Sequence, residues 1–133
     1  MSIDRLANML STLKNASMAK KPVVEMVYSR ECEAVAQVLK DKGFLRTVKT
    51  FKPSEQPFKM LHIELEHDED GTYAITDVKR VSKPGSRVYK GVSEIHRVAG
   101  GFGTLVVSTS RGIFSGDEAK KRKLGGEVIC EVK

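Results

Sequence analysis

No uninterrupted apolar run in the 133-residue sequence approaches the roughly 18 residues that a spanning helix needs. The amino terminus also lacks a basic patch followed by an apolar stretch, so neither a membrane partner nor export is expected. Cysteine is scarce. Cys32 and Cys130 lie far apart, form no CxxC, and sit among apolar neighbours (Val35 and Val38; Ile129 and Val132), the setting of small reduced core residues in a reducing cytoplasm. Internal repeats and low-complexity tracts are missing as well.

The signatures of catalysis are equally absent. There is no G-x-S-x-G elbow, and nothing in the sequence ties His96 to Ser108 or Asp117. His62 and His67 stand five apart on a strand end with no Cys or third His at a metal-ligand spacing, and read as solvated polar side chains. Asp68 to Gly71 lacks the alternating ligands and distal Glu of a calcium loop, and Gly100 to Gly103 completes neither a P-loop nor a dinucleotide pattern. The expectation is a protein that is not an enzyme and needs no metal or cofactor.

What is present is a soluble globular balance, 40% hydrophobic and 30% charged, with a net charge of +6. Residues 1–70 carry eleven Lys or Arg against eleven Asp or Glu, whereas residues 71–133 carry twelve against six. The whole excess lies in the second half, and by charge alone the candidate partners are nucleic acid, an anionic membrane or acidic proteins.

Periodicity divides the chain into two small lobes, 1–70 and 71–133, of an α+β fold. In the first, Ser2 is a candidate helix cap with Asp4 in the first turn, and Ile3, Leu6, Ala7, Leu10 and Leu13 recur at helical spacing. Val23 to Tyr28 reads as a strand, and Ser29 caps a second helix whose face is Cys32, Val35, Val38 and Leu39, ending at Lys42 and Gly43. Phe44 to Phe51 and Phe58 to Glu66 read as strands, the latter with Leu61, Ile63 and Leu65 on one face. The acidic turn His67 to Gly71 marks the boundary.

The carboxy lobe reads as mostly antiparallel β with short helices. Extended segments are expected at Thr72 to Val81, Thr104 to Thr109, Ile113 to Phe114 and Glu127 to Val132. Short helices are expected at Glu94 to Ala99 and, capped by Ser115, at Asp117 to Arg122, with a flexible loop at Gly100 to Gly103.

Three segments of this half combine donors with backbone freedom. In Ser82 to Tyr89, Lys83 and Arg87 can meet phosphates and Tyr89 offers a ring for an unstacked base; the alternative is a tight turn and a core tyrosine. Ser108, Thr109 and Ser110 bring three hydroxyls beside Arg111, suited to phosphate, ribose or base edges, or else to their own backbone at a hairpin end. Gly125 and Gly126 free the backbone to approach a ligand, and Glu127 can only accept hydrogen bonds, as from base amino groups; the alternative is a bend into the last strand. On the first of these accounts, Gly126→Asp blocks ligand approach without unfolding the lobe.

These segments, with DRLANMLSTLKN at Asp4 to Asn15, SKPG at Ser82 to Gly85, RVY at Arg87 to Tyr89, GTLVVSTSRGIFSGDEAK at Gly103 to Lys120 and LGGEVICEV at Leu124 to Val132, resemble one family along essentially the whole chain. It is the bacterial form of the eighth protein of the small ribosomal subunit. The sequence departs from it at Phe114, at Lys90-Gly91 and at His96, where the family commonly has an aliphatic residue, more bulk and a proline respectively.

The resemblance implies a two-lobed α+β protein, helix-strand-helix-strand-strand and then mostly β. It implies a structural, cytoplasmic, ribosome-bound protein that binds a helix of the central domain of small-subunit ribosomal RNA at an irregular region. Distorted pairs there expose base edges that regular A-form RNA hides. Arg30, at the start of the second helix, occupies a position that is basic and RNA-contacting in the family. Further implied partners are neighbouring small-subunit proteins, the fifth and twelfth among them, and in some bacteria the messenger RNA of the protein's own operon. Composition and charge alone also fit a free RNA-binding regulator outside the ribosome; co-sedimentation with small subunits separates the two.

Overall fold

The computed structural model describes residues 4–133, which fall into two units, one ending at Thr76 and one running Asp77–Lys133. The division lies a few residues beyond the acidic turn where the sequence marks it. Residues 72 to 75 are tied back to the first unit by the Ala74 amide on the Glu66 carbonyl, a bridge between His67 and Tyr73, and the Ser17 hydroxyl on the Ile75 carbonyl. No charged residue lies between 71 and 76, so the charge partition is unchanged.

In the first unit, α1 (Arg5–Met18) buries Leu6, Met9, Leu10, Leu13 and Ala16, a stripe of three- and four-residue steps. Asp4 is its N-cap, its carboxylate accepting from the Ala7 amide at 3.0 Å, rather than a first-turn residue. Ser2 and Ile3, assigned to this helix from the sequence, lie outside the described residues. Strand β1 (Val23–Val27) leads to α2 (Arg30–Asp41), where Ser29 accepts from the Cys32 amide at 3.1 Å. Glu31 and Glu33 sit in its first turn and Lys40 in its last, complementing the helix dipole.

Strands β2 (Leu45–Phe51) and β3 (Met60–Leu65) complete an antiparallel sheet of order β1-β3-β2. Leu61, Ile63 and Leu65 are buried on one face, and α1 packs on β1 while α2 packs on β2. Neither histidine is simply solvated. His62 lies between Glu25 and Glu64, 2.8 and 3.3 Å from its two ring nitrogens, and His67 stacks on Tyr73 with ring centroids 4.9 Å apart.

All three helices end alike. After α2, the Phe44 amide reaches the Leu39 carbonyl and the Gly43 amide reaches that of Lys40, with Gly43 at φ 88°. The same paired bonds follow α1 and the third helix, but there the left-handed residues are Lys20 (φ 56°) and Lys123 (φ 58°).

The second unit is built around its last strand. Strands β4 (Val78–Arg80), β5 (Tyr89–Lys90), β6 (Thr104–Thr109), β7 (Gly112–Ser115) and β8 (Gly126–Val132) form an antiparallel sheet of order β4-β8-β6-β7, with β5 also on β8. Helix α3 (Gly116–Lys121), capped by Ser115, packs on β6 and β7. One face is closed by Leu105, Val107 and Val128 against Ile95, Val98 and Ala119.

Three expectations fail here. Of residues 72 to 81 only Val78–Arg80 are strand, because that is where β8 offers a partner. The helix expected over residues 94 to 99 does not form; single 3-10 turns at Val92–Glu94 and Ala99–Gly101 take its two ends, residues 95 to 98 are not helical, and Ile95 is extended (φ −76°, ψ 121°). Gly103, expected in a flexible loop, is packed tightly: a Cβ there would stand 2.6 Å from the Val98 side chain and 2.7 Å from the Val132 carbonyl oxygen. Both thiols are buried and free, and burial pushes Cys130 up to about 12 and raises Cys32 as well, so neither is a nucleophile.

Candidate nucleic-acid interface

Register brings residues distant in sequence into one row. Tyr89 of β5 and Ser108 of β6 both pair with Glu127 of β8, from opposite sides, and cross-strand partners project from the same face. Alternation puts this row on the face opposite Leu105, Val107 and Val128. Tyr89 is 69% exposed, so it is no core tyrosine and its ring is free to stack.

The Glu127 carboxylate is met by Arg87, whose Nη1 donates to Oε2 at 3.0 Å. That pairing offsets the repulsion a lone carboxylate would exert on a polyanion and leaves acceptor capacity for a base amino or imino group. Arg87 is held near β8 by Ser82, whose hydroxyl is 1% exposed as a residue, accepts from the Val88 amide at 2.9 Å and donates to the Val88 carbonyl. Lys83 and Ser86 exchange backbone hydrogen bonds across the turn, with Gly85 at φ 80°, which leaves the Lys83 side chain exposed.

At the end of β6 the hydroxyls divide their work. Thr109 is committed to the hairpin: its Oγ1 donates to the Gly112 carbonyl at 2.8 Å and accepts from the Arg111 amide at 3.1 Å. Ser110 and Arg111 form the exposed two-residue turn, and Ser108 lies half-buried in the row. Of the three hydroxyls, those of Ser108 and Ser110 suit a ligand best.

The glycine pair has a different reason from the one the sequence suggests. A Cβ at Gly126 would fall 2.1 Å from the Ser108 carbonyl oxygen, and one at Gly125 would fall 2.6 Å from the Lys90 carbonyl oxygen. The space is filled by the protein's own backbone. The expectation that Gly126→Asp leaves the lobe folded is therefore reversed. Arg30, the remaining site residue from the sequence, is exposed at the first position of α2 in the first unit.

Sequence reasoning passed over the run Lys120 to Lys123, four consecutive exposed cations at the end of α3. Arg122 is engaged, 2.9 Å from Glu118 and over the Phe114 ring at 4.6 Å. The run itself was the signal.

Residues 4–132 match the family model described as Ribosomal protein S8. The chain is 43% identical to the small ribosomal subunit protein uS8 of Nautilia profundicola over 97% of each chain. It is 40% identical to that of Rhodopirellula baltica over 99% of each, and 39% identical to that of Campylobacter lari over 97% of each.

Proposed function

The chain belongs to the ribosomal protein S8 family, and on that premise we propose that it binds small-subunit ribosomal RNA directly, at an irregular helix of the central domain, through Tyr89, Glu127 and Ser108 and the adjoining Ser110–Arg111 turn. As a family member it is a structural component of the small ribosomal subunit, cytoplasmic, and not an enzyme. Among the described residues no helix is long and apolar enough to cross a membrane.

The observation that carries the RNA reading is the register Tyr89–Glu127–Ser108, which sets a stacking ring, an acceptor and a hydroxyl in line on one face. Arg87, Lys83 and Arg111 supply phosphate contacts around it, and Arg30 a separate one. The carboxy-terminal unit, holding the whole charge excess, carries most of the affinity. The fifth and twelfth proteins of the small subunit are the proposed neighbours. A messenger RNA folding into the same irregular helix would bind the same row, which extends the reading to repression of the protein's own operon.

Glu127→Gln tests it. The substitution keeps shape and removes the charge-assisted acceptor that Arg87 meets. Cognate central-domain RNA should bind about 1–3 kcal/mol more weakly, while scrambled RNA binds equally or more tightly. Cognate binding that is unchanged or tighter would remove Glu127 from the interface.

A further inference from the structure

A cleft of about 540 Å³ opens on the other face of the second sheet. Lys79 and Leu105 both pair with Glu131 in register, and Lys90 pairs with Gly126, which puts these residues on the face opposite Tyr89, Glu127 and Ser108. Lys83 and His96 reach the cleft from the turn after β4 and from the segment before β6.

Its chemistry has two parts. Lys79, Lys83 and Lys90 line it with side chains that have no ion pair or hydrogen bond among the described residues, Arg80 adds a fourth basic residue, and Glu131 is the one carboxylate in the lining. Beside them, half-buried Val81 and Val88 make an apolar wall, backed by the buried core residues Leu105 and Val128. The volume lies in the range of small-molecule sites, of order 300–1,000 Å³, and is far larger than a phosphate needs.

We infer that this cleft is a second ligand site, one that takes a nucleotide: phosphate among Lys79, Lys83 and Lys90, base against Val81 and Val88, and Glu131 accepting from an amino or hydroxyl group. An inorganic anion would leave the apolar wall unused. An acidic peptide would bring carboxylates to Glu131, which has no donor to offer them. The nucleotide is either free or unpaired within an RNA strand. The inference goes beyond the RNA-reading row: Lys83 is shared with the phosphate contacts proposed around that row, whereas Lys79, Lys90 and Glu131 are on the other side of the sheet.

The test titrates the full chain with adenosine diphosphate and, separately, with a ten-nucleotide single-stranded oligoadenylate, following backbone amide signals by NMR. Adenosine diphosphate should move Lys79, Val81, Lys90 and His96 and leave residues 108 to 112 in place. Lys79→Gln with Lys90→Gln should weaken this binding about tenfold or more, with an unchanged circular dichroism spectrum. Tighter binding of the free nucleotide assigns the site to a small ligand, and tighter binding of the oligonucleotide at the same signals assigns it to RNA; either outcome upholds the site. It is overturned if neither ligand moves the cleft signals, if the double variant binds like the parent, or if inorganic phosphate or an oligoglutamate peptide competes at the same concentration as the nucleotide. Glu127→Gln should leave cleft binding untouched, so failure of the cleft and failure of the row are read separately.

Discussion

Replacing Gly126 by alanine puts a Cβ 2.1 Å from the Ser108 carbonyl oxygen, 2.9 Å from its carbon and 3.2 Å from the Thr109 Cα. These are backbone atoms of β6, so no rotamer change relieves the clash and the strands must part by a distance on the order of 1 Å to restore ordinary contact. Overpacking of this kind costs about 1–3 kcal/mol, and weakening one or two ladder hydrogen bonds near the Ser108–Glu127 pair adds about 1 kcal/mol each. The loss expected for Gly126→Ala is thus about 2–5 kcal/mol in total. Gly125→Ala meets the Lys90 carbonyl oxygen at 2.6 Å. Its neighbour is the two-residue β5, which pairs only with β8 and can yield, so about 1–2 kcal/mol is expected. Urea unfolding followed by far-ultraviolet circular dichroism reads both, the chain having no tryptophan for fluorescence. A Gly126→Ala protein within about 0.5 kcal/mol of the parent, the usual scatter of surface changes, would refute the close approach.

Two further outcomes follow from local geometry. Lys20 and Lys123 hold left-handed conformations at the ends of α1 and α3, where glycine carries no Cβ penalty, so Lys20→Gly and Lys123→Gly should each stabilise the fold by about 0.5–1 kcal/mol; a loss of stability in either variant's unfolding curve would show that the lysine side chain matters more than its backbone angle. Hydrogen bonds from Glu25 and then Glu64 raise the His62 pKa above the ordinary imidazole value of about 6.5. Its contribution to stability is therefore complete below that value and lost as the pH rises through the higher folded midpoint. A proton-NMR titration of the ring should show the raised midpoint, and Glu25→Gln should lower it; a midpoint indifferent to Glu25→Gln would mean that the contact is not held in solution.

How far the fold could be read in advance depended on the range of the interactions. Ser29 and Ser115 were legible as caps because a cap is a contact three residues long, and Leu61, Ile63 and Leu65 were legible as a buried face because alternation is local. The bounds of the short strands β4 and β5 were not, since three and two residues become strand only where β8, about forty to fifty residues on, lies beside them. The same holds for the interface. Residue types marked out Arg87, Tyr89, Ser108 and Glu127, but nothing local says that three of them share a row or that Arg87 touches Glu127. The cleft lysines at 79 and 90 passed as ordinary surface charge, and Lys83 was marked only as a phosphate contact of its own turn, because the sheet assembles the three around Glu131 and His96.

The glycine pair shows why a structural and a functional account of one segment need not compete. From the sequence, Gly125 to Glu127 is either a bend or a reading head. In the fold, the absence of a Cβ at Gly126 lets β8 approach β6 closely, and that approach holds Glu127 opposite Ser108. Tyr89 is held from the other side through the β5 pairing that Gly125 permits. An acceptor fixed by a ladder on both sides loses little conformational freedom when a base arrives, which is what preorganised recognition requires. The bend is thus the means by which the carboxylate is positioned. A substitution at Gly126 that abolishes RNA binding therefore cannot separate lost reading from a parted sheet, whereas Glu127→Gln, which leaves both glycines and the pairing in place, isolates the carboxylate.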